Sequence, residues 1–123
     1  MITIIDDDES VRTATESLVR SLGFTARTFA SAEDFLASPL RGETDCVITD
    51  VQMPGMSGVE LQSHLRAHGD RTPLIFITAF PEERIRRQVD AGGAFGFLAK
   101  PFDGNAMIDC LDRALGVRNG ADA

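Results

Sequence analysis

The 123-residue sequence contains no tryptophan, no tyrosine and only two cysteines. Without those two aromatics, and without a Ser/Thr/Gly-rich phosphate loop after its first apolar segment, the chain is a poor candidate for a flavin-binding protein. Cys46 and Cys110 are far apart in the sequence and lack the spacing of metal ligands. We expect both to be buried thiols, kept reduced in the cytoplasm.

Basic residues are also scarce, since twelve Lys and Arg stand against nineteen Asp and Glu, for a formal net charge of −7. Nucleic-acid binding depends on clustered Lys and Arg, so direct nucleic-acid binding by this chain is not expected. The longest apolar run, residues 74–79 with Thr78 inside it, is far too short to cross a bilayer. The N-terminus has no basic residues before its apolar ones, which argues against a signal peptide and for a cytoplasmic protein.

Short apolar segments alternate with helical patterns along the whole chain. Strands are predicted at residues 2–5, 24–29, 46–50, 74–77 and 95–98. Helices are predicted from residue 8 or 9 to 22, and over 31–38, 57–69, 81–91 and 103–116. This alternation predicts an α/β fold, a flavodoxin-like three-layer sandwich whose five parallel strands have the order 2-1-3-4-5. Residues 1–118 are predicted to form one domain and residues 119–123 a flexible tail.

Polar side chains follow the predicted strands where each strand ends. Asp6 and Asp7 follow the first strand, Asp50 ends the third, Thr78 ends the fourth, and Lys100 follows the fifth. Since the carboxyl ends of parallel strands meet at one edge of the sheet, these side chains are expected to share one shallow pocket. Each residue alone has a simpler interpretation, as a helix cap, a β-former or a solvated lysine. Their convergence on one edge favours a functional site.

The residue types in this pocket indicate phosphoryl chemistry. Crowded carboxylates repel one another, and a hard cation such as Mg²⁺ with oxygen ligands relieves that repulsion. A carboxylate can act as the nucleophile in aspartyl-phosphate chemistry. We therefore predict Asp50 as the phosphoryl acceptor, with Thr78 and Lys100 left to bind two phosphoryl oxygens.

Four stretches of the sequence, in order, resemble the receiver (CheY-like) domain of two-component response regulators. They are Ile-Asp-Asp-Asp-Glu at 5–9, Thr-Asp-Val-Gln-Met-Pro-Gly-Met-Ser-Gly at 49–58, Ile-Thr-Ala at 77–79 and Gly-Phe-Leu-Ala-Lys-Pro-Phe at 96–102. The resemblance covers essentially the whole chain. The second and fourth stretches are similar to receivers fused to LuxR-type DNA-binding domains, such as nitrogen-fixation and nitrate regulators.

The resemblance implies that Asp50 accepts a phosphoryl group from a histidine kinase. It implies that Mg²⁺ is held by Asp7, Asp50 and the backbone carbonyl of Gln52, with Asp6 acting mainly through water. It also implies a cis peptide bond at Lys100–Pro101. The chain would then be a signalling switch that catalyses its own phosphorylation and dephosphorylation, rather than an enzyme acting on other substrates.

The resemblance further implies a conformational switch. Thr78 is expected to move toward the phosphoryl group, and the ring of Phe97 to rotate inward behind it. A permanently buried Phe97 is the alternative. The fourth helix, fifth strand and fifth helix are expected to form the face that contacts an output domain, a downstream protein or a second copy of the chain.

Two residues depart from the family pattern, and one rival function remains open. Phe80 is bulky beside the pocket and is expected to restrict the access of water. Gly92 replaces the usual alanine and is expected to loosen the end of the fourth helix slightly. The rival is a haloacid-dehalogenase-like phosphatase, in which Asp6 would be the nucleophile of an Asp-x-Asp-x-Ser motif.

Overall fold

The computed structural model describes residues 1–119, with side chains described up to residue 116. Five strands and five helices alternate along the chain. The strands are β1 (Ile2–Ile5), β2 (Ala26–Phe29), β3 (Cys46–Asp50), β4 (Leu74–Thr78) and β5 (Gly96–Ala99). The helices are α1 (Glu9–Ser21), α2 (Ala32–Ala37), α3 (Gly58–Ala67), α4 (Glu83–Ala91) and α5 (Gly104–Asn119). All strand pairs are parallel in the order β2-β1-β3-β4-β5, which confirms the predicted fold.

The central strands are buried on both faces, as their continuous apolar sequences predict. Every residue of β1, β3 and β4 is buried. Alternate side chains face opposite sides of a strand, so the strands feed two separate cores. Ile4 and Ile48 enter one core, and Ile5 and Val47 enter the other.

The helices divide between these two cores, which gives the three layers. One core contains Val19 of α1 and residues of α5, which are Met107, Cys110, Leu111 and Ala114. The other contains residues of α2, α3 and α4, which are Ala32, Phe35, Leu61, Leu65 and Val89. Both cysteine side chains are buried, as predicted. No helix in the described part of the chain is long and apolar enough to cross a membrane.

Side-chain caps explain where three helices begin. Asp8 accepts hydrogen bonds from the backbone of α1, and Ser31 accepts one from the first turn of α2. Ser57 forms a capping box with Glu60 at the start of α3. These caps satisfy N–H groups that have no partner within their helix. Each cap therefore determines the residue at which its helix begins.

In the sequence, Val11, Ala14, Leu18 and Leu22 recur at steps of three and four and predict the buried face of α1, but the structure agrees only for Val11 and Leu18, which pack against the core. Ala14 and Leu22 are exposed, whereas Thr15 and Val19 are buried. Burial of Thr15 is possible because its hydroxyl donates a hydrogen bond of 2.8 Å to the carbonyl oxygen of Val11. The buried polar group therefore has a partner, and a threonine can occupy a position where the hydropathy pattern favoured an apolar residue.

Several element boundaries also differ from the prediction. β2 begins at Ala26 rather than at residue 24, and Pro81 precedes α4 instead of lying in its first turn. The predicted loop after α2 contains a short 3-10 helix, Arg41–Glu43. α5 continues past Gly116 to Asn119, and the rest of the predicted tail lies outside the described residues.

Candidate functional site

The register of the sheet places the predicted acidic residues side by side. Ile5 pairs with Thr49, so Asp6 and Asp50 follow adjacent positions at the ends of β1 and β3. Both carboxylates are buried. Carboxylate oxygens of Asp6, Asp7 and Asp50 lie within 4.8 Å of one another. The three acids predicted from the strand ends thus form one cluster.

Lys100 joins this cluster from the end of β5. Its ammonium nitrogen lies 2.9 Å from Oδ2 of Asp6 and 3.0 Å from Oδ2 of Asp50. Desolvation lowers the pKa of Lys100, but its close contacts with the two carboxylates and their negative charges outweigh it, and the net pKa is raised. Lys100 is therefore held as a cation between the two buried carboxylates.

Asp6 is the most constrained carboxylate of the cluster. Its Oδ1 accepts a hydrogen bond of 2.9 Å from the backbone N–H of Asp8. Its Oδ2 is fully buried and faces the Lys100 ammonium at ion-pair distance, although without hydrogen-bond geometry. Burial raises the pKa of Asp6; Lys100 and the Asp8 N–H oppose this rise, and the charge of Asp50 adds to it. Lys100 therefore offsets only part of the cost of holding a negative charge on this buried carboxylate.

The charges of the cluster suit a divalent cation. When ionised, the three carboxylates carry three negative charges, and Lys100 supplies one positive charge. Two negative charges remain, and all the available ligand atoms are hard oxygens. That combination matches the preference of Mg²⁺ for a small number of carboxylates.

The loop between β3 and α3 is tied to Asp50. The backbone N–H of Gln52 donates a hydrogen bond of 3.2 Å to Oδ1 of Asp50. Gln52 itself is exposed to solvent. At the other end of the loop, the N–H of Gly58 donates to the carbonyl oxygen of Val51 at 2.9 Å.

Thr78 lies on the same edge of the sheet, next to the Lys100 backbone. The N–H of Lys100 donates a hydrogen bond of 2.8 Å to the carbonyl oxygen of Thr78. The Thr78 hydroxyl accepts a bond of 3.1 Å from the N–H of Phe80. The Phe80 side chain is 69% exposed, so its ring extends into solvent rather than into either core. The Lys100–Pro101 peptide bond is cis, as expected.

Phe97 of β5 is only half-buried. It packs against the core formed with α2, α3 and α4, and it also borders two cavities of about 340 and 230 Å³. The larger cavity lies between α4, β5 and α5, and its lining includes Arg86, Asp90, Phe95, Cys110 and Arg113. In this structure Phe97 is thus partly exposed and borders open space.

Several contacts that shape the site were not predicted from the sequence. Arg12 of α1 donates a hydrogen bond of 2.7 Å to the carbonyl oxygen of Asp6. Glu33 of α2 accepts a bond of 2.8 Å from the N–H of Met56, in the loop after Asp50. The sequence predicts Gly58 as a loop residue or the start of the third helix, and it does not indicate the close packing of Gly58 against Asp50.

A family model described as the response regulator receiver domain matches residues 2–112. This chain belongs to the response regulator receiver family. Receiver domains of this family are signalling switches rather than conventional enzymes, and the CheY-like resemblance of the sequence is confirmed.

The receiver is similar to domains of several transcriptional regulators. It is 35% identical over 116 residues to the transcriptional regulatory protein TdiR of Thauera aromatica, covering 94% of this chain and 51% of TdiR. It is 36% identical over 115 residues to the transcriptional regulatory protein FixJ of Azorhizobium caulinodans, covering 94% and 54% respectively. The chain therefore spans about half the length of these curated relatives.

Solved structures agree with the family assignment. The response regulator StyR superimposes with a TM-score of 0.88 at 39% identity, covering 98% of this chain and 63% of StyR. The structure titled FixJ-N superimposes with a TM-score of 0.82 at 33% identity, covering 93% of this chain and 91% of that one. The chemotaxis protein CheY4 of Vibrio cholerae gives a TM-score of 0.82 at 28% identity, covering 93% of this chain and 97% of CheY4.

Proposed function

We propose that this receiver takes a phosphoryl group from a histidine kinase onto Asp50, with Mg²⁺ bound beside it. The observation that carries the proposal is the convergence of Asp6, Asp7 and Asp50, with the Lys100 ammonium 3.0 Å from Oδ2 of Asp50. This arrangement pairs a carboxylate nucleophile with a positive group and with a set of metal ligands. Phosphoryl transfer to a carboxylate needs these components.

The residues fit Mg²⁺ by charge and by ligand type. Asp6 and Asp7, together with Asp50 and the Gln52 carbonyl, would hold the ion, with Asp6 acting mainly through water. Within the described residues, the fully buried Oδ2 of Asp6 has the Lys100 ammonium at ion-pair distance and no hydrogen bond, which supports this assignment. When bound, Mg²⁺ neutralises the charge on the phosphoryl oxygens during transfer.

In the proposed reaction, a carboxylate oxygen of Asp50 attacks the phosphorus of a phosphohistidine. The new O–P bond forms as the P–N bond breaks, and the imidazole nitrogen keeps the electron pair. Lys100, already held against Asp50, binds one phosphoryl oxygen, and the Thr78 hydroxyl binds another. Hydrolysis reverses the modification when water attacks the acyl phosphate, so the chain catalyses both steps of its own cycle.

We further propose that phosphorylation switches the face formed by α4, β5 and α5. Thr78 would leave its bond with the Phe80 N–H to reach the phosphoryl group. The ring of Phe97 would then move into the space that Thr78 vacates. The cavities beside Phe97 support this step, because a half-buried ring that borders open volume is not held by packing on that side.

The expected partners follow from this cycle. The kinase supplies the phosphoryl group in the cytoplasm, and the switched face contacts an output domain, a downstream protein or a second copy of the receiver. An output domain is supported by the length of the transcriptional regulators, of which this chain spans about half. With its net charge of −7, the receiver itself is not expected to bind DNA.

Acetyl phosphate and Mg²⁺ provide the test, because a small phosphodonor removes the need for the cognate kinase. Intact mass measurement should show one added phosphoryl group on the wild type, labile to base, and none on Asp50→Asn. Asp34→Asn, which removes an exposed acid from α2, should be modified like the wild type. Phosphate that persists in Asp50→Asn, or that maps to Asp6, would instead support the haloacid-dehalogenase-like alternative.

A further inference from the structure

A side chain of α2 reaches the loop that follows Asp50. Oε2 of Glu33 accepts a hydrogen bond of 2.8 Å from the backbone N–H of Met56, a residue 23 positions away. Glu33 itself lies in the first turn of α2, directly after the Ser31 cap. The start of α2, which is rooted in the core through Ala32 and Phe35, is thereby joined to the loop between β3 and α3.

The backbone of Gly55 is shaped to make this contact possible. Its φ of +76° lies in the left-handed region, where residues with a Cβ atom are strained. A Cβ atom at this position would lie 2.5 Å from Oε2 of Glu33. Gly55 therefore leaves space for the carboxylate, and its turn directs the next N–H group toward it. The contact therefore depends on both residues: Gly55 provides the space and the turn, and Glu33 provides the acceptor.

The loop held by this contact also carries Gln52. The Gln52 N–H bonds Oδ1 of Asp50, and the carbonyl of Gln52 belongs to the proposed magnesium site. At its far end, the loop enters the capping box of Ser57 and Glu60. Between these two fixed ends, Glu33 supplies a bond at Met56, beside the turn of the loop.

We infer that Glu33 is a positioning residue for magnesium binding and phosphorylation at Asp50. It acts through the Met56 N–H, by holding the loop so that Gln52 stays beside the acceptor carboxylate. This inference rests on the proposed function. Without the bond, the loop samples more conformations, and metal binding must then order it again.

Three variants separate this role from the general effect of a lost charge. Glu33→Ala removes the hydrogen-bond acceptor and the charge. Glu33→Gln removes the charge but keeps a side-chain oxygen that can accept the same bond. Asp34→Ala removes an equal charge from the same turn of α2, at a residue whose backbone N–H, and not its side chain, carries the bond to Ser31.

Two readouts should be measured on the full chain, both by ¹⁵N nuclear magnetic resonance. The first is hydrogen exchange at the Met56 amide without Mg²⁺, and the second is the Mg²⁺ dissociation constant from a titration. Glu33→Ala should exchange faster at Met56 and bind Mg²⁺ about three- to tenfold more weakly, the range expected for one lost hydrogen bond. Glu33→Gln should restore most of the protection of the Met56 amide from exchange and most of the Mg²⁺ affinity. Asp34→Ala should behave like the wild type in both measurements.

The outcomes distinguish this inference from the proposed function. If the wild type binds Mg²⁺ but Glu33→Ala binds it equally well, or no more weakly than Asp34→Ala does, Glu33 has no positioning role. The same conclusion holds if Met56 exchange rises while the affinity stays constant. If the wild type itself fails to bind Mg²⁺, the proposed function fails and this inference fails with it.

Discussion

Gly58 lies so close to the carbonyl oxygen of Asp50 that a Cβ atom at position 58 would be 2.2 Å from it. The same Cβ would be 3.2 Å from Cα of Val51. Both contacts are with backbone, which cannot move aside as a flexible side chain can. Only glycine therefore allows α3 to begin directly against the end of the strand that carries the acceptor carboxylate.

Replacement of Gly58 by alanine should destabilise the receiver. The added methyl group must push α3 away from β3 or distort the backbone at Asp50, which is a form of overpacking. We expect a loss of about 1–3 kcal/mol in the free energy of unfolding. Urea denaturation followed by far-ultraviolet circular dichroism will measure it, since the chain has no tryptophan or tyrosine to act as a strong fluorescence probe.

The matched control is Gly116→Ala in α5. No atom lies within 4 Å of a Cβ built at Gly116, so the new methyl group meets no obstacle. Because glycine is unfavourable within a helix, this variant should gain about 0.5–1 kcal/mol. Equal stability of Gly58→Ala and the wild type would contradict the close contact with Asp50.

Gly92 at the end of α4 has a second steric role. A Cβ atom there would lie 2.5 Å from Cδ and Oε1 of Gln62 in α3. The buried Gln62 amide donates a hydrogen bond of 3.0 Å to the carbonyl oxygen of Val89. Arg66 donates another, of 3.1 Å, to the carbonyl of Gly92. The glycine thus makes room for a contact that secures the end of α4, although the sequence suggested only a looser helix end.

A double-mutant cycle at Gly92 and Gln62 should show strong coupling. Gly92→Ala should cost about 1–3 kcal/mol by displacing the Gln62 side chain. Gln62→Ala should cost about 1–3 kcal/mol in the wild type, since it removes a buried side chain together with its hydrogen bond to the Val89 carbonyl. In the Gly92→Ala background the same change should cost much less, because the bond is already lost. Additive losses in urea denaturation would contradict the proposed packing.

The sequence predicted which residues meet at one edge of the sheet, because the positions of the strands and their order in the sheet together determine this. Once β1, β3 and β5 are parallel strands of one sheet in a known order, Asp6, Asp50 and Lys100 must reach the same edge. This argument needs only hydropathy patterns and the carboxyl-end rule for parallel sheets. The cluster was therefore predictable without knowledge of any side-chain rotamer.

The contacts that support the site were not predictable in the same way. Glu33 meets Met56, and Gln62 meets Val89, across 23 and 27 residues of sequence. Such pairs depend on how far a helix lies from a loop or another helix, and this distance is set by packing of both cores. The burial of Thr15 was missed for a related reason, since its bond to a carbonyl of its own helix leaves no trace in the hydropathy pattern.

Asp70, in the loop between α3 and β4, should make stability depend on pH. It accepts hydrogen bonds of 2.9 and 2.6 Å from the N–H and hydroxyl of Thr72. Desolvation raises the pKa of Asp70, but these bonds and the charges of Arg41 and Arg66 outweigh it, and the net pKa is lowered. A lowered pKa in the folded state stabilises the fold above the unfolded pKa of about 3.9, and the gain is lost as pH falls through the folded pKa.

Asp70→Ala should therefore lose about 1–2 kcal/mol at neutral pH, mainly from its hydrogen bonds to Thr72. The difference from the wild type should shrink as the pH falls below about 3.9. Urea denaturation over a series of pH values will measure it. Asp112→Ala, which removes an exposed acid from α5, should track the wild type throughout. A wild-type advantage over Asp70→Ala that grows on acidification would contradict the lowered pKa.

Phe80 should control how long the phosphoryl group persists on Asp50. It lies two residues beyond Thr78, a proposed phosphoryl ligand, and its ring is exposed. A bulky apolar ring there should restrict the approach of water to the acyl phosphate. After loading with acetyl phosphate, Phe80→Ala should lose phosphate several-fold faster than the wild type, as followed by intact mass. Phe80→Leu keeps an apolar side chain and should decay at nearly the wild-type rate. Equal decay of all three proteins would exclude any shielding by the ring.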